Sequence, residues 1–162
     1  MGDVEISGYI PGALGRVVEL HGRYYHLHWN FGLYFEKLVA TELAEYLGRQ
    51  DSKQDGFWVA QINGQVVGSV TIDSSGEPNG LARLRWFILD ENFQGKGIGR
   101  MLMEKALAFC NQTGQKEVYL WTFEGLHAAK KLYTDYGFEL VDQESGDQWG
   151  TAVVEQKFLL KL

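Results

Sequence analysis

The stretch that most constrains this chain runs from Leu84 to Cys110. Leu84 to Leu89 is an apolar run whose only charge is Arg85, the pattern of a strand covered on both faces. Asp90, Glu91 and Asn92 interrupt it with turn-forming polar residues. Gln94-Gly95-Lys96-Gly97-Ile98-Gly99-Arg100 follows, and Ile98, Met101, Leu102, Ala106 and Phe109 then recur at helical spacing. A strand, a glycine-rich turn and a helix N-terminus in that order form an anion site. Glycines let the backbone close on a ligand, first-turn N–H groups lack partners, and the helix dipole favours negative charge. Lys96 and Arg100 add positive charge at the same spot.

Several glycine-rich readings compete for this loop. A Walker-type loop needs Ser or Thr after its Gly-Lys, but Lys96 is followed by Gly97. The dinucleotide fingerprint needs glycine where Arg100 stands, and it should open directly from the strand. What remains is Gln-x-x-Gly-x-Gly, carried by Gln94, Gly97 and Gly99 between a strand and a helix. It resembles the pyrophosphate loop of the GNAT superfamily of N-acetyltransferases, which bind acetyl-coenzyme A. The plainer alternative is a glycine-rich turn with no ligand.

The whole chain, 162 residues, is expected to be a single domain, with residues 1–14 a flexible glycine-rich lead-in. A net charge of −6 argues against nucleic-acid or anionic-membrane partners, so a phosphate-bearing ligand must meet local positive charge. The lone Cys110 excludes an internal disulfide and reads as a buried, inert thiol in a reducing compartment. With no signal-peptide pattern or membrane-length apolar run, a cytoplasmic location is expected.

Along the chain, Arg16 to Leu20 reads as a first strand, broken at His21-Gly22-Arg23 and followed by the aromatic and histidine cluster Tyr24 to Trp29. Phe31 to Leu47 is helical in pattern, with Gly48 as its stop. Phe57 to Ile62 and Gln65 to Ile72 read as strands of a hairpin turning at Asn63-Gly64. After the long helix, Glu117 to Thr122 is a strand and Leu126 to Tyr136 a helix ended by Gly137. Phe138 to Val141 and Ala152 to Leu160 close the chain as strands around a polar loop, Gln143 to Trp149. The result is an α/β (α+β) architecture, a mixed central sheet flanked by helices.

That order matches the GNAT fold less one of its two N-terminal helices. The resemblance extends from about Gly15 onward. Beyond the glycine loop it rests on Ala129-Lys130-Lys131-Leu132-Tyr133-Thr134-Asp135-Tyr136-Gly137-Phe138, which looks like the family's Ala-x-x-x-Tyr-x-x-x-Gly-Phe signature. Leu14 to Gly22, Phe35 to Ala40 and Leu120-Trp121-Thr122 are similar to the acetyltransferase domain fused to MarR-type regulators in some bacterial proteins.

The resemblance implies acetyl-CoA as cosubstrate. Its pantetheine arm would lie between the Leu84 and Glu117 strands, pairing with the main chain of Ile88 and Leu89. Its pyrophosphate would rest on Gln94, Gly95, Lys96, Gly97, Ile98, Gly99 and Arg100. Tyr133 aligns with the family's tyrosine that protonates the departing thiolate; packing in the core is its bland alternative. Trp86 stands where some members carry a catalytic glutamate, so the general base stays open between Glu124, His127 and water. Leu126 replaces an asparagine that contacts the coenzyme in many members.

A primary amine of a small molecule, amino acid or protein is the expected acceptor, and a homodimer is admissible. The pocket for it should draw on the Tyr24 to Trp29 cluster and the Gln143 to Trp149 loop, with Trp29 and Trp149 as candidate walls. His21, His26 and His28 invite a metal reading, but no carboxylate or cysteine follows at ligand spacing, so no metal is expected. Two rivals remain: a coenzyme-binding regulatory module without turnover, and an interaction domain without coenzyme.

Overall fold

Val17, Leu20 and His21 recur four, seven and eight residues after Ala13, and all four side chains are buried. That spacing is a helical stripe, and in the computed structural model, which describes residues 2–162, it packs α1, Ala13–Trp29. The expected strand at Arg16 to Leu20 is therefore wrong. Its run of valines suggested a strand, but packing of the stripe against the sheet outweighs that local preference. Gly22, taken for a break, lies inside α1 beside Glu36 of α2, Leu33–Arg49. Both N-terminal helices are thus present, where one was expected.

The lead-in is corrected too: Val4–Ser7 forms an edge strand, β1, whose Val4 and Ile6 pack on the core; Met1 lies outside the described residues. β2 (Gly56–Ile62) and β3 (Gln65–Asp73) form the expected hairpin, and Asn63 and Gly64 both adopt positive φ, 51° and 78°. Next come β4 (Leu81–Leu89), α3 (Ile98–Gln112), β5 (Glu117–Phe123) and α4 (His127–Asp135). β6 (Glu139–Gly146) and β7 (Val153–Lys161) end the chain, so β6 takes in the first part of the expected polar loop.

Seven strands form one mixed sheet in the order β1-β2-β3-β4-β5-β7-β6. Every neighbouring pair is antiparallel except β4 and β5, which are joined by the α3 crossover. One face of the sheet buries Ile98, Leu102, Met103 and Ala106 of α3 together with Tyr133 and Phe138. The other buries Val17, Phe35, Val39, Leu43 and Tyr46 of α1 and α2.

β4 contains a bulge that exchanges its faces. Between Arg85 and Ile88 it advances three residues while β3 advances two, from Thr71 to Ser69. Ala82 and Leu84 therefore face α3, whereas Trp86 and Ile88 face α1 and α2. Trp86 takes the strain, with φ of 45°, a conformation bulky residues rarely adopt. Its carbonyl accepts a 2.7 Å hydrogen bond from the buried Ser69 Oγ, and its ring lies 5.6 Å from that of Tyr46.

His21 ties α1 stability to pH. It is buried, its Nδ1 donates to the Val17 carbonyl at 2.8 Å, and burial lowers its pKa to about 4. The unfolded chain takes up this proton near pH 6.5, the folded chain only near 4, so acidification between those values favours unfolding. Denaturant unfolding should show a loss of up to about 3 kcal/mol from this group between pH 7 and 4. His21→Gln should flatten that slope; an unchanged slope would refute the assignment.

Candidate active site

β4 and β5 pair only from Leu81 to Arg83 against Glu117 to Tyr119. Beyond that point β4 stays on β3 as far as Leu89 and β5 stays on β7 as far as Phe123, so the two strands part. A cleft of about 890 Å³ opens at the gap and reaches from the glycine loop to α1 and α2.

The loop enters through a 3-10 turn, Glu91–Phe93, whose Asp90 side chain accepts from the Asn92 N–H. Gly95 and Gly97 have φ of 75° and 81°, the left-handed region that glycine tolerates. Gly97 is the N-cap of α3 and offers no side-chain cap, so the N–H groups of Ile98, Gly99 and Arg100 have no partner within the helix. A β-carbon on Gly95 or Gly97 would meet nothing within 4 Å, and one on Gly99 would touch Phe87 and Leu132 at 3.5 and 3.6 Å. Bare amides over open space suit a diphosphate.

Gln94, Gly95, Gly97, Ile98, Gly99 and Arg100 all line the cleft. Lys96 lies just outside it, its Nζ 5.8 Å from the Phe93 ring. Arg100 departs from expectation in its side chain, which pairs with Asp135 of α4 at 2.7 Å. That carboxylate also holds Lys131 at 3.0 Å, so Arg100, Lys131 and Asp135 together leave one net positive charge at this end of the cleft.

Ladder geometry separates Ile88 from Leu89. The Asp90 N–H donates to the Val67 carbonyl at 2.7 Å, in register with the Leu89–Gly68 and Ile88–Ser69 pairs. Alternation in an antiparallel ladder then turns the main chain of Ile88 toward β3 and that of Leu89 toward the gap. The Leu89 main chain is thus open to an extended ligand in the gap, whereas that of Ile88 is committed to the sheet, which argues against the expected pairing at Ile88.

Tyr133 sits in the last turn of α4, buried among Phe87, Phe138 and Phe158, with ring centroids 5.9–6.2 Å away. It also lines the cleft, and desolvation holds its phenol above the usual pKa, so it stays protonated at neutral pH. Core packing and a place on the cleft wall are both true of it.

Tyr25, from the Tyr24 to Trp29 cluster expected to line the pocket, lies on α1, lines the cleft and neighbours Tyr133. Burial raises its pKa first, and the nearby Tyr133 phenol adds to the effect. Of the two candidate bases, His127 lines the cleft and Glu124 does not.

Trp29 and Trp149 both pack on Phe123, at 4.7 and 5.5 Å, and both line the cleft. The three histidines of α1 have separate partners: Val17 for His21, the Phe31 carbonyl for His26 and Glu91 for His28. His26 and His28, two residues apart on a helix, point their rings in different directions. Among the described residues no cluster of three or more metal-ligating side chains occurs, and no helix is long and apolar enough to cross a membrane.

Residues 16–138 match the model of the Acetyltransferase (GNAT) family. An uncharacterised N-acetyltransferase of Methanocaldococcus jannaschii is 31% identical over 122 residues, 72% of this chain and 53% of that protein. Human N-acetylaspartate synthetase is 36% identical over 131 residues, 80% of this chain and 41% of that one. The chain thus spans about half the length of these relatives or less.

Among solved structures, a Salmonella typhimurium protein assigned as an acetyltransferase, with its cofactor acetyl-CoA, aligns at TM-score 0.77 and 19% identity. The alignment covers 98% of this chain and 94% of that one. A GNAT-family acetyltransferase of Staphylococcus aureus aligns at TM-score 0.79 and 18% identity over 99% of both chains. At such identities the likeness speaks for the fold. The family match spans most of the chain and takes in both the glycine loop and Tyr133, and the chain belongs to the GNAT acetyltransferase family.

Proposed function

We propose that this chain is an acetyl-CoA-dependent N-acetyltransferase that delivers the acetyl group to a primary amine by direct attack. The observation that carries the reading is the parted β4–β5 pair, with uncapped helix amides at one end of the gap and a buried phenol on its wall. The relatives point the same way, since those named above are N-acetyltransferases or N-acetylaspartate synthetases.

Bound acetyl-CoA would supply the thioester carbonyl that an amine attacks. The chain's residues would do the rest. First-turn N–H groups of Ile98, Gly99 and Arg100 hold the diphosphate, and the Leu89 main chain aligns the extended arm. The attacking amine must be neutral, and its proton passes to water or to His127. Tyr133, kept protonated by burial, donates to sulfur as the carbon–sulfur bond breaks. The aromatic wall of Trp29, Phe123 and Trp149 keeps water from the thioester. A regulatory module without turnover finds no feature of its own in this site.

Tyr133→Phe keeps the ring packing and removes the proton donor. Turnover should fall by about a hundredfold or more while coenzyme A affinity changes little, as steady-state kinetics and calorimetry would report. Unchanged turnover would remove Tyr133 from the reaction. Gly99→Val tests the cradle without left-handed strain, because Gly99 has an ordinary helical φ. Thermal melting should still be cooperative, but stabilisation by coenzyme A should be lost; full retention of coenzyme affinity would contradict the diphosphate placement.

A further inference from the structure

The wall of the cleft on the α1/α2 side carries a guanidinium with which no carboxylate forms a direct ion pair among the described residues. Arg83 is the last β4 residue paired with β5, at the vertex where the strands part, and it lines the cleft. Its Nε is buried and finds no hydrogen-bond partner among the described residues. Its guanidinium carbon lies 6.0 Å from the centroid of the Tyr119 ring.

The nearby carboxylates are already engaged. Asp73 receives Arg49 and Arg85, each at 3.1 Å, and Glu42 receives Arg85 at 2.6 Å. The Tyr119 hydroxyl is committed to Glu77. Arg49 and Arg85 thus take the ion pairs of Asp73 and Glu42, and among the described residues neither carboxylate forms one with Arg83. Burial, and then the like charge of Arg85, lower its pKa against the attraction of Tyr119, Glu42 and Asp73. A half-buried guanidinium with an orphaned donor is costly unless a ligand completes it.

Resting on the transferase reading above, we infer that the acceptor is an amino acid whose carboxylate binds Arg83, which presents its amine to the thioester held in the β4–β5 gap. Arg83 is a specificity residue in this account. A planar guanidinium offers a carboxylate two parallel N–H bonds, a geometry that lysine cannot copy. The same charge repels amines that bear only positive groups, which excludes polyamines and lysine side chains as preferred acceptors.

The test compares amino acids with their own amides, which keep the amine and lose the anion. Initial rates would be measured for wild type, Arg83→Gln and Arg83→Lys, with coenzyme A affinity measured calorimetrically on each. Wild type should favour the acid over the amide by about ten- to a hundredfold in kcat/KM, mainly through KM. Arg83→Gln should bring that ratio to within about twofold, and Arg83→Lys should restore only part of it.

Equal use of acid and amide by wild type overturns the carboxylate assignment while leaving the transferase intact. So does a preference that survives in Arg83→Gln. If Arg83→Gln fails to fold, the wild-type ratio together with Arg83→Lys still decides the question. Absence of coenzyme A binding in wild type overturns the transferase reading and the acceptor with it.

Discussion

A sheet holds together because strand edges inside it are hydrogen-bonded, and this sheet departs from that rule furthest between β4 and β5. β4 and β5 separate after Arg83 and Tyr119, leaving main-chain donors and acceptors of both strands facing an open cleft. Unpaired backbone groups away from water are costly, so such a gap calls for a ligand that can act as a strand. The rest of the architecture supports that separation. The β4 bulge at Trp86 turns one strand's side chains over, and α3 begins just where the gap ends.

Electrostatics divide the cleft into two ends. At the α3 end, attraction for an anion comes from peptide dipoles and from the net positive charge that Arg100 and Lys131 keep after sharing Asp135. At the α1/α2 end it comes from Arg83. Between the ends lie phenols whose burial keeps them neutral, Tyr25 and Tyr133. A chain of net charge −6 thus concentrates its uses of positive potential where negative ligand groups would sit.

Much of this was legible in the sequence. The glycine loop, its strand and its helix carry their signals locally: apolar run, polar break, positive-φ residues, helical periodicity. The Asn63-Gly64 hairpin and the Tyr133 helix ending at Gly137 are equally local. The misreadings have a common cause in tertiary context. The Val17-Val18 stretch favours a strand by propensity, but its four-residue stripe is buried by the sheet, so α1 forms and the histidines diverge. β1 was hidden by glycine-rich flanks, although Val4 and Ile6 alternate as a strand should. The Trp86 bulge had no sequence signal, because a tryptophan at positive φ persists only when Ser69 and Tyr46 hold it. Nor could spacing show that Arg83 would lack a partner, which depends on side chains from α2 and β3.

A coenzyme seated in the gap beside β4 would touch the uncapped start of α3 as well. Backbone amide chemical shifts followed during titration with coenzyme A test this placement most directly. Large shifts are expected at Leu89, Ile98, Gly99 and Arg100, with slowed hydrogen exchange at the same amides. Binding that leaves those four amides unmoved, or no binding at all, would contradict it.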